Sequence, residues 1–177
     1  MKKVIKTRFI IVGLISLSIF FVKCQKDESP LETPTEDVVS LNIIKSMSLD
    51  TIMSFPYDSL SQEETDGLIL MREEEIFARD VYLGLYNIWN LQIFSNISNS
   101  EDNHTTAVKA LLDKYGIIDP AANYQTGVFS NQNLQTLYDN LLALGSTSIM
   151  DALQVGATIE DLDIYDLNHM LDSIVDN

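Results

Sequence analysis

Apolar residues recur along most of the chain at helical spacing, and no stretch alternates apolar and polar with the period of two that a half-buried strand needs. Ser61-Gln-Glu-Glu64 is a capping box, in which the serine hydroxyl and the glutamate three residues on satisfy each other's backbone amides. It predicts a helix from there to about Trp89, about 40 Å long at 1.5 Å per residue. Ser98-Asn-Ser-Glu101 repeats the pattern and predicts a second helix that runs to about Tyr115 and stops at Gly116. Asp119-Pro120 through Gly127 reads as loop. Leu134, Leu137, Tyr138 and Leu141 predict a short helix from about Asn131 to Leu144, ended by Gly145, and residues 148–151 open a last helix that reaches about Ile174. With no internal repeat visible, the fold class is all-α: a bundle of three main helices and one short one.

The first residues belong to a different regime. Lys2, Lys3, Lys6 and Arg8 precede an apolar run over 9–22, which has the length of a signal peptide and is too short to span a bilayer comfortably. The lone cysteine, Cys24, follows at once, so no intramolecular disulfide can form. The end of this run, Phe21-Val-Lys-Cys24, resembles a bacterial lipoprotein signal, although Lys23 stands where a small residue is usual. That resemblance implies cleavage before a lipid-bearing Cys24. Gln25-Lys-Asp-Glu28 is similar to the signal that exports lipoproteins to the outer face of the outer membrane, which implies an outer membrane lipoprotein, periplasmic or at the cell surface. Residues 25–40, rich in Pro, Thr, Ser and acids, cannot bury apolar surface and read as a tether. Residues 38–54 have mixed apolar character and read as a short docking helix, before a turn at Phe55-Pro56-Tyr57. The expected organisation is a signal over 1–23, a tether with its docking segment over 24–54, and a helical domain over 55–177.

Removing the five basic residues of the signal takes the formal net charge from −15 to −20. So acidic a body argues against nucleic acid and anionic lipid headgroups as partners and favours cations.

The carboxylates carry the candidate chemistry. Glu73, Glu74 and Glu75 point about 100° apart on their helix, so at least one lies near the buried face, where it must be neutralised, paired or bound to a cation. The apolar arc of Leu70, Met71, Phe77, Ala78, Val81 and Leu85 is centred nearer Glu74, whereas Glu75 shares a side with Leu68, Ala78, Tyr82 and Trp89. Geometry leaves both open and slightly favours Glu74. Glu101 and His104, three apart, share a face with Ile97, Val108, Leu111 and Tyr115, which sets a carboxylate beside an imidazole as a metal in a bundle core requires. The alternative is that Glu101 only caps Ser98 and His104 is a core histidine. On the last helix, Glu160 lies within about 40° of Ile149, Leu153, Gly156, Ile164, Leu167, Leu171 and Ile174, with Asp163 near the edge of that stripe. A carboxylate there is expected to be protonated, paired or metal-bound. His169 falls on the opposite side and reads as a surface residue. No Gly-x-Ser-x-Gly, domain cysteine or Ser-His-acid set supports a hydrolase.

Glu75-x-x-Ala78-Arg79-x-x-Tyr82, then Glu101-x-x-His104, then a carboxylate in a third helix, resembles the order of iron ligands in ferritin-like proteins, rubrerythrin especially. More closely, Met71-Arg-Glu-Glu-Glu-x-x-Ala-Arg-Asp-Val-Tyr82, Ala107-Val-Lys-Ala-Leu-Leu-Asp-Lys-Tyr-Gly116 and Asp151-Ala-Leu-x-Val-Gly-Ala-x-Ile-Glu160-Asp-Leu-Asp-Ile164 resemble the ferritin-like family called domain of unknown function 2202. The resemblance spans about Ser61 to Leu171. It implies Glu75 rather than Glu74 as a ligand to iron or manganese, together with Glu101, His104 and Glu160, and with Glu74, Asp163 and Tyr82 as auxiliary groups. The implied chemistry, at one iron or two, is oxidation of Fe(II) or reduction of peroxide. Such bundles have a fourth long helix that often supplies a further Glu or His; none is read in this sequence, so a truncated product or a second chain that completes the bundle is expected. The rival expectation is a non-enzymatic interaction module that keeps the bundle without the di-iron chemistry.

Overall fold

A computed structural model describes residues 49–54, 56–129 and 131–175. The signal-like segment, Cys24 and the tether lie outside these residues. The described chain is all-helical: α1 (Gln62–Trp89), α2 (Gln92–Tyr115), α3 (Gln132–Gly145), α4 (Ile149–Val175) and a short helical segment at 49–54. None of these helices is long and apolar enough to cross a membrane.

The capping box at Ser61 forms as expected. The Ser61 hydroxyl accepts from the Glu64 amide at 3.1 Å, and the Glu64 carboxylate accepts from the Ser61 amide at 2.7 Å. At the far end of α1, Asn90 adopts the left-handed conformation (φ 51°) and its N–H donates to the Tyr86 carbonyl, which reverses the chain within two residues. Gly116 ends α2 with φ 66°. Asn131 caps α3 through its side chain, and the Ser148 hydroxyl accepts from the Asp151 amide at the start of α4.

The start of α2 corrects the sequence reading. The helix begins at Gln92, without a side-chain cap, because the tight turn at Asn90 returns the chain straight into helical geometry. Ser98 therefore sits inside α2, where its hydroxyl donates to the Arg79 carbonyl at 3.1 Å and ties α2 to α1. Glu101 is not its capping partner.

α1 packs against α2, α3 and α4, whereas α2 and α4 hardly touch one another. Gly67 faces Met170 and Gly156 faces Tyr82, so α4 runs antiparallel to α1, as α2 does. Two apolar cores result. One joins Phe77, Val81, Tyr82 and Leu85 of α1 to Phe94 of α2, Leu141 of α3 and Ala152, Val155 and Ile159 of α4. The other joins Met71, Val108, Leu111 and Leu167 to Ile52 of the short segment.

The buried line of α4 is a second correction. It follows Ala152, Val155, Gly156 and Ile159, while Ile149, Leu153 and Ile164 of the expected stripe are exposed and Glu160 is half-buried at the margin. α4 turns its 152–159 line to α1 and α3, which leaves the neighbouring stripe uncovered among the described residues.

Two buried ionic contacts, unread in the sequence, fasten the loop between α2 and α3. The Arg72 guanidinium makes two parallel bonds to Asp119 (3.0 and 3.1 Å) and donates to the Thr105 carbonyl at 2.9 Å. Asp80, 1% exposed, accepts from Arg79, the Tyr124 hydroxyl and the Gly127 amide. Removing one partner of a buried pair leaves the other charge uncompensated. Arg72→Ala is therefore expected to lower unfolding stability by about 3 kcal/mol in denaturant titration, while a solvent-facing change such as Lys109→Ala stays within about 0.5 kcal/mol. Equal effects would remove this ion pair as a fastening of the loop.

Candidate metal centre

Between the two apolar cores lies a polar layer. On α1, Glu75 is one turn from Met71 on one side and from Ala78 on the other. On α2, Glu101 and His104 stand between Phe94 and Val108, and on α4 Asp163 stands between Ile159 and Leu167. α1 and α2 bring three of these groups into contact. His104 Nδ1 lies 3.2 Å from Glu75 Oε2 and 3.0 Å from Glu101 Oε2, and all three residues are at most 5% exposed. One donor atom from each lies within 4.8 Å of the others, the single such group of three or more among the described residues.

The structure turns Glu74 and Glu75 to different neighbours. Glu75 turns to α2 and joins Glu101 and His104, while Glu74 turns to α4, where it shares a hydrogen bond with Asp166. The two adjacent acids serve two different interfaces.

The layer holds more protons than its formal charges suggest. Burial raises Glu75 to about 8, even though His104 pulls in the opposite direction. Burial alone would lower His104, but its hydrogen bonds to Glu101 and Glu75 prevail and raise it to about 10. On α4, burial raises Asp163 to about 6 with help from Glu101 and Glu160, and burial raises Glu74 to about 8 with help from Asp166 and Asp163. The ring's other nitrogen, His104 Nε2, is buried and has no hydrogen-bond partner. Buried polar atoms are normally satisfied, and a water or an ion would complete the bonding of this one, as of the neighbouring Thr105 hydroxyl.

Glu160 approaches from the α4 side and is held at a distance from the three-residue group. The Tyr82 hydroxyl donates to Glu160 Oε1 at 2.7 Å and lies 3.0 Å from the Gly156 carbonyl. Gly156 permits this approach: a Cβ there would stand 3.1 Å from the tyrosine ring. Burial, and then the Glu160 charge, hold the Tyr82 phenol above its ordinary value, so it remains a donor. Burial also raises Glu160, against the Tyr82 bond. Asp163 is half-buried and close enough to feel Glu101, Glu160 and His104. His169 is exposed and stacks on Tyr165, away from the cluster.

The donor set is two carboxylate oxygens and one imidazole nitrogen. Neighbouring ligands at about 2.1 Å from a first-row divalent ion stand about 3 Å apart. The separations of 3.0 and 3.2 Å fit that spacing, and the mixed oxygen and nitrogen donors suit iron, manganese or zinc.

Residues 64–177 match the family described as an uncharacterized protein domain, DUF2202. Among curated proteins, the chain is 59% identical over 119 residues to the uncharacterized protein MJ0754 of Methanocaldococcus jannaschii; the matched stretch is 67% of this chain and 64% of that protein, so it spans less than two thirds of the relative. The crystal structure of hypothetical protein MJ0754 from Methanococcus jannaschii DSM 2661 superposes with a TM-score of 0.66 at 57% identity, covering 68% of this chain and 69% of the other.

The raised groups make stability depend on pH in a definite direction. For His104 (6.5 to about 10), Glu75 and Glu74 (4.5 to about 8) and Asp163 (3.8 to about 6), the native state keeps protons that the unfolded chain has already lost. Their contribution is full below the unfolded values and is lost as pH rises through the folded ones. With a chelator present, the melting temperature is expected to fall from about pH 5 to about pH 10, and Glu75→Gln to flatten the portion below about pH 8. A melting temperature that climbs over this range would contradict the proton count of the layer.

Proposed function

The chain belongs to the uncharacterized domain family DUF2202, and from that premise we propose that it binds a divalent metal, iron or manganese, in a ferritin-like bundle, with Glu75, Glu101 and His104 as ligands. The observation that carries this reading is the convergence of two buried carboxylates on a buried imidazole whose second nitrogen has no partner. Bound iron would supply one-electron chemistry between Fe(II) and Fe(III), in keeping with oxidation of Fe(II) or reduction of peroxide.

The chain's own part is positional and protonic. Glu75 and His104 would hold the ion in their deprotonated forms, so each would give up its proton on binding. Tyr82 steadies Glu160 at the margin of the layer, where Glu160 would be a further carboxylate available to hold the ion. Asp163, and Glu74 through Asp166, keep the α4 side acidic. The apolar cores above and below restrict water and strengthen each electrostatic contact between them.

The Tyr82 bond also favours a second reading. With Glu160 engaged by a phenol, the compact donor set contains three residues, fewer than a two-metal centre uses, and a non-enzymatic module that retains the bundle is the rival.

Metal analysis of the purified full chain separates the two. The first reading expects near-stoichiometric Fe(II) or Mn(II), lost by at least about tenfold in Glu101→Gln and retained in Lys109→Ala. Affinity should also strengthen with pH between about 6 and 8, by about tenfold per unit for each proton displaced. Equal metal content in Glu101→Gln and the parent, or none in either, leaves the interaction module as the function.

The basic and apolar start and Cys24 support a lipoprotein anchored at the outer membrane, periplasmic or surface-facing. Membrane fractionation of a Cys24→Ala variant tests this anchor, which requires the variant to lose membrane attachment.

A further inference from the structure

The candidate cluster has two unlike sides. On α1, Arg72 stands three residues before Glu75 and Arg79 four after it, and each reaches across to α2 beside a candidate ligand. Arg72 donates at 2.9 Å to the carbonyl of Thr105, next to His104, and Arg79 donates at 3.4 Å to the carboxylate of Asp102, next to Glu101. The loop after α2 lies on both arginines. Asp119 accepts two bonds from Arg72, while the Arg79 guanidinium lies 5.0 Å from the centre of the Tyr124 ring, whose hydroxyl donates to Asp80. Residues 119–127 thus form a strap along the α1–α2 crevice, over the stretch of α1 that carries Glu75. Ile76, midway between the two arginines, is 2% exposed, as a side chain under that strap would be.

The α4 side is the reverse in charge and in cover. α4 contains no lysine or arginine and hardly touches α2. Asp163 and Glu160 are half-buried there, whereas Glu101 and His104 behind them are buried. Asp163 interacts electrostatically with Asp166, almost one turn further along α4, and also with Glu101 and His104 of α2. It therefore links the acids of α4 to the buried group, in which His104 Nε2 is a donor atom without a partner. An approaching cation meets two guanidinium groups beneath a strap on one side and a wall of carboxylates on the other.

We propose that the divalent cation enters between α2 and α4, drawn in by Asp163, and that the strap with its two arginines closes the α1–α2 side. The proposal rests on the metal reading above and adds a route to it. Asp163 is then a positioning residue for the incoming ion and is not one of its final ligands.

Stopped-flow uptake of Co(II) by the full chain, followed by its visible absorption, tests the route. Asp163→Asn is expected to slow entry and release alike, each at least about fivefold, so that Kd moves less than either rate. A Kd that rises at an unchanged entry rate places Asp163 on the bound ion and overturns the route. A steric comparison does not depend on charge. In a Cys24→Ser background, a bulky maleimide on Ile164→Cys, exposed beside Asp163, should slow entry at least about fivefold. The same label on Thr126→Cys, exposed on the strap, should leave entry within about twofold. The opposite pattern overturns the proposal and moves entry to the α1–α2 side. A parent chain that takes up no Co(II) removes the metal site and the route together. Uptake indifferent to both Asp163→Asn and the label at 164 removes the route alone.

Discussion

A layer of buried ionisable groups, sandwiched between two apolar cores, is the constraint around which this bundle is arranged. Carboxylates and an imidazole in a dry interior are costly, and apolar replacements of similar size are often at least as stable. The chain meets that cost by crowding Glu75, Glu101 and His104 together so that each relieves its neighbour, and by letting the layer retain protons. The two cores position the helices closely enough for this to work. Leu85, Val108, Leu111 and Ala152 are fully buried, and they hold α1 against its neighbours on both sides of the layer.

The same arrangement sorts the acids of α1. Adjacent glutamates on a helix diverge, so Glu74 and Glu75 cannot serve one interface, and the structure uses one against α2 and the other against α4. Tyr82, one turn beyond Ala78, closes the layer toward the larger core and reaches Glu160 past the bare backbone of Gly156. Arg72 and Asp80 do comparable work outside the layer, since each gathers backbone or side-chain partners from the loop after α2.

Much of the fold was legible in the pattern of residues, because helical spacing, the Ser61 capping box and Gly116 act locally. Glu101 and His104 were legible for the same reason: three residues apart on one helix, they are neighbours whatever the tertiary fold. Glu75 was not separable from Glu74 by apolar arcs, since the decision depends on which neighbour each faces; only the resemblance to a known motif favoured it. Ser98 misled because a capping box describes a helix start equally well when the helix begins two turns earlier. The stripe through Glu160 misled because apolar residues on α4 do not reveal which of them are covered. Asp119 and Asp166 gave no sign at all, nor did Asp80 beyond its neighbour Arg79, as the partners that tie these acids to other elements are 40 or more residues distant in the chain, 92 for Glu74 and Asp166.

The turn at Asn90 and Leu91 works as a ruler. With only two residues between α1 and α2, it fixes how far α2 slides along α1 and how it is rotated, and therefore which α2 residue meets Glu75. One residue inserted at the start of α2 would displace the helix by about 1.5 Å and turn it by about 100°, carrying Glu101 out of the layer and Ser100 into its place. The longer connection over 116–131 carries no such measurement. The 116–131 loop is held instead by its contacts to Arg72 and Asp80, so the spacing from Glu75 to Glu101 along the hairpin is the dimension on which the cluster depends.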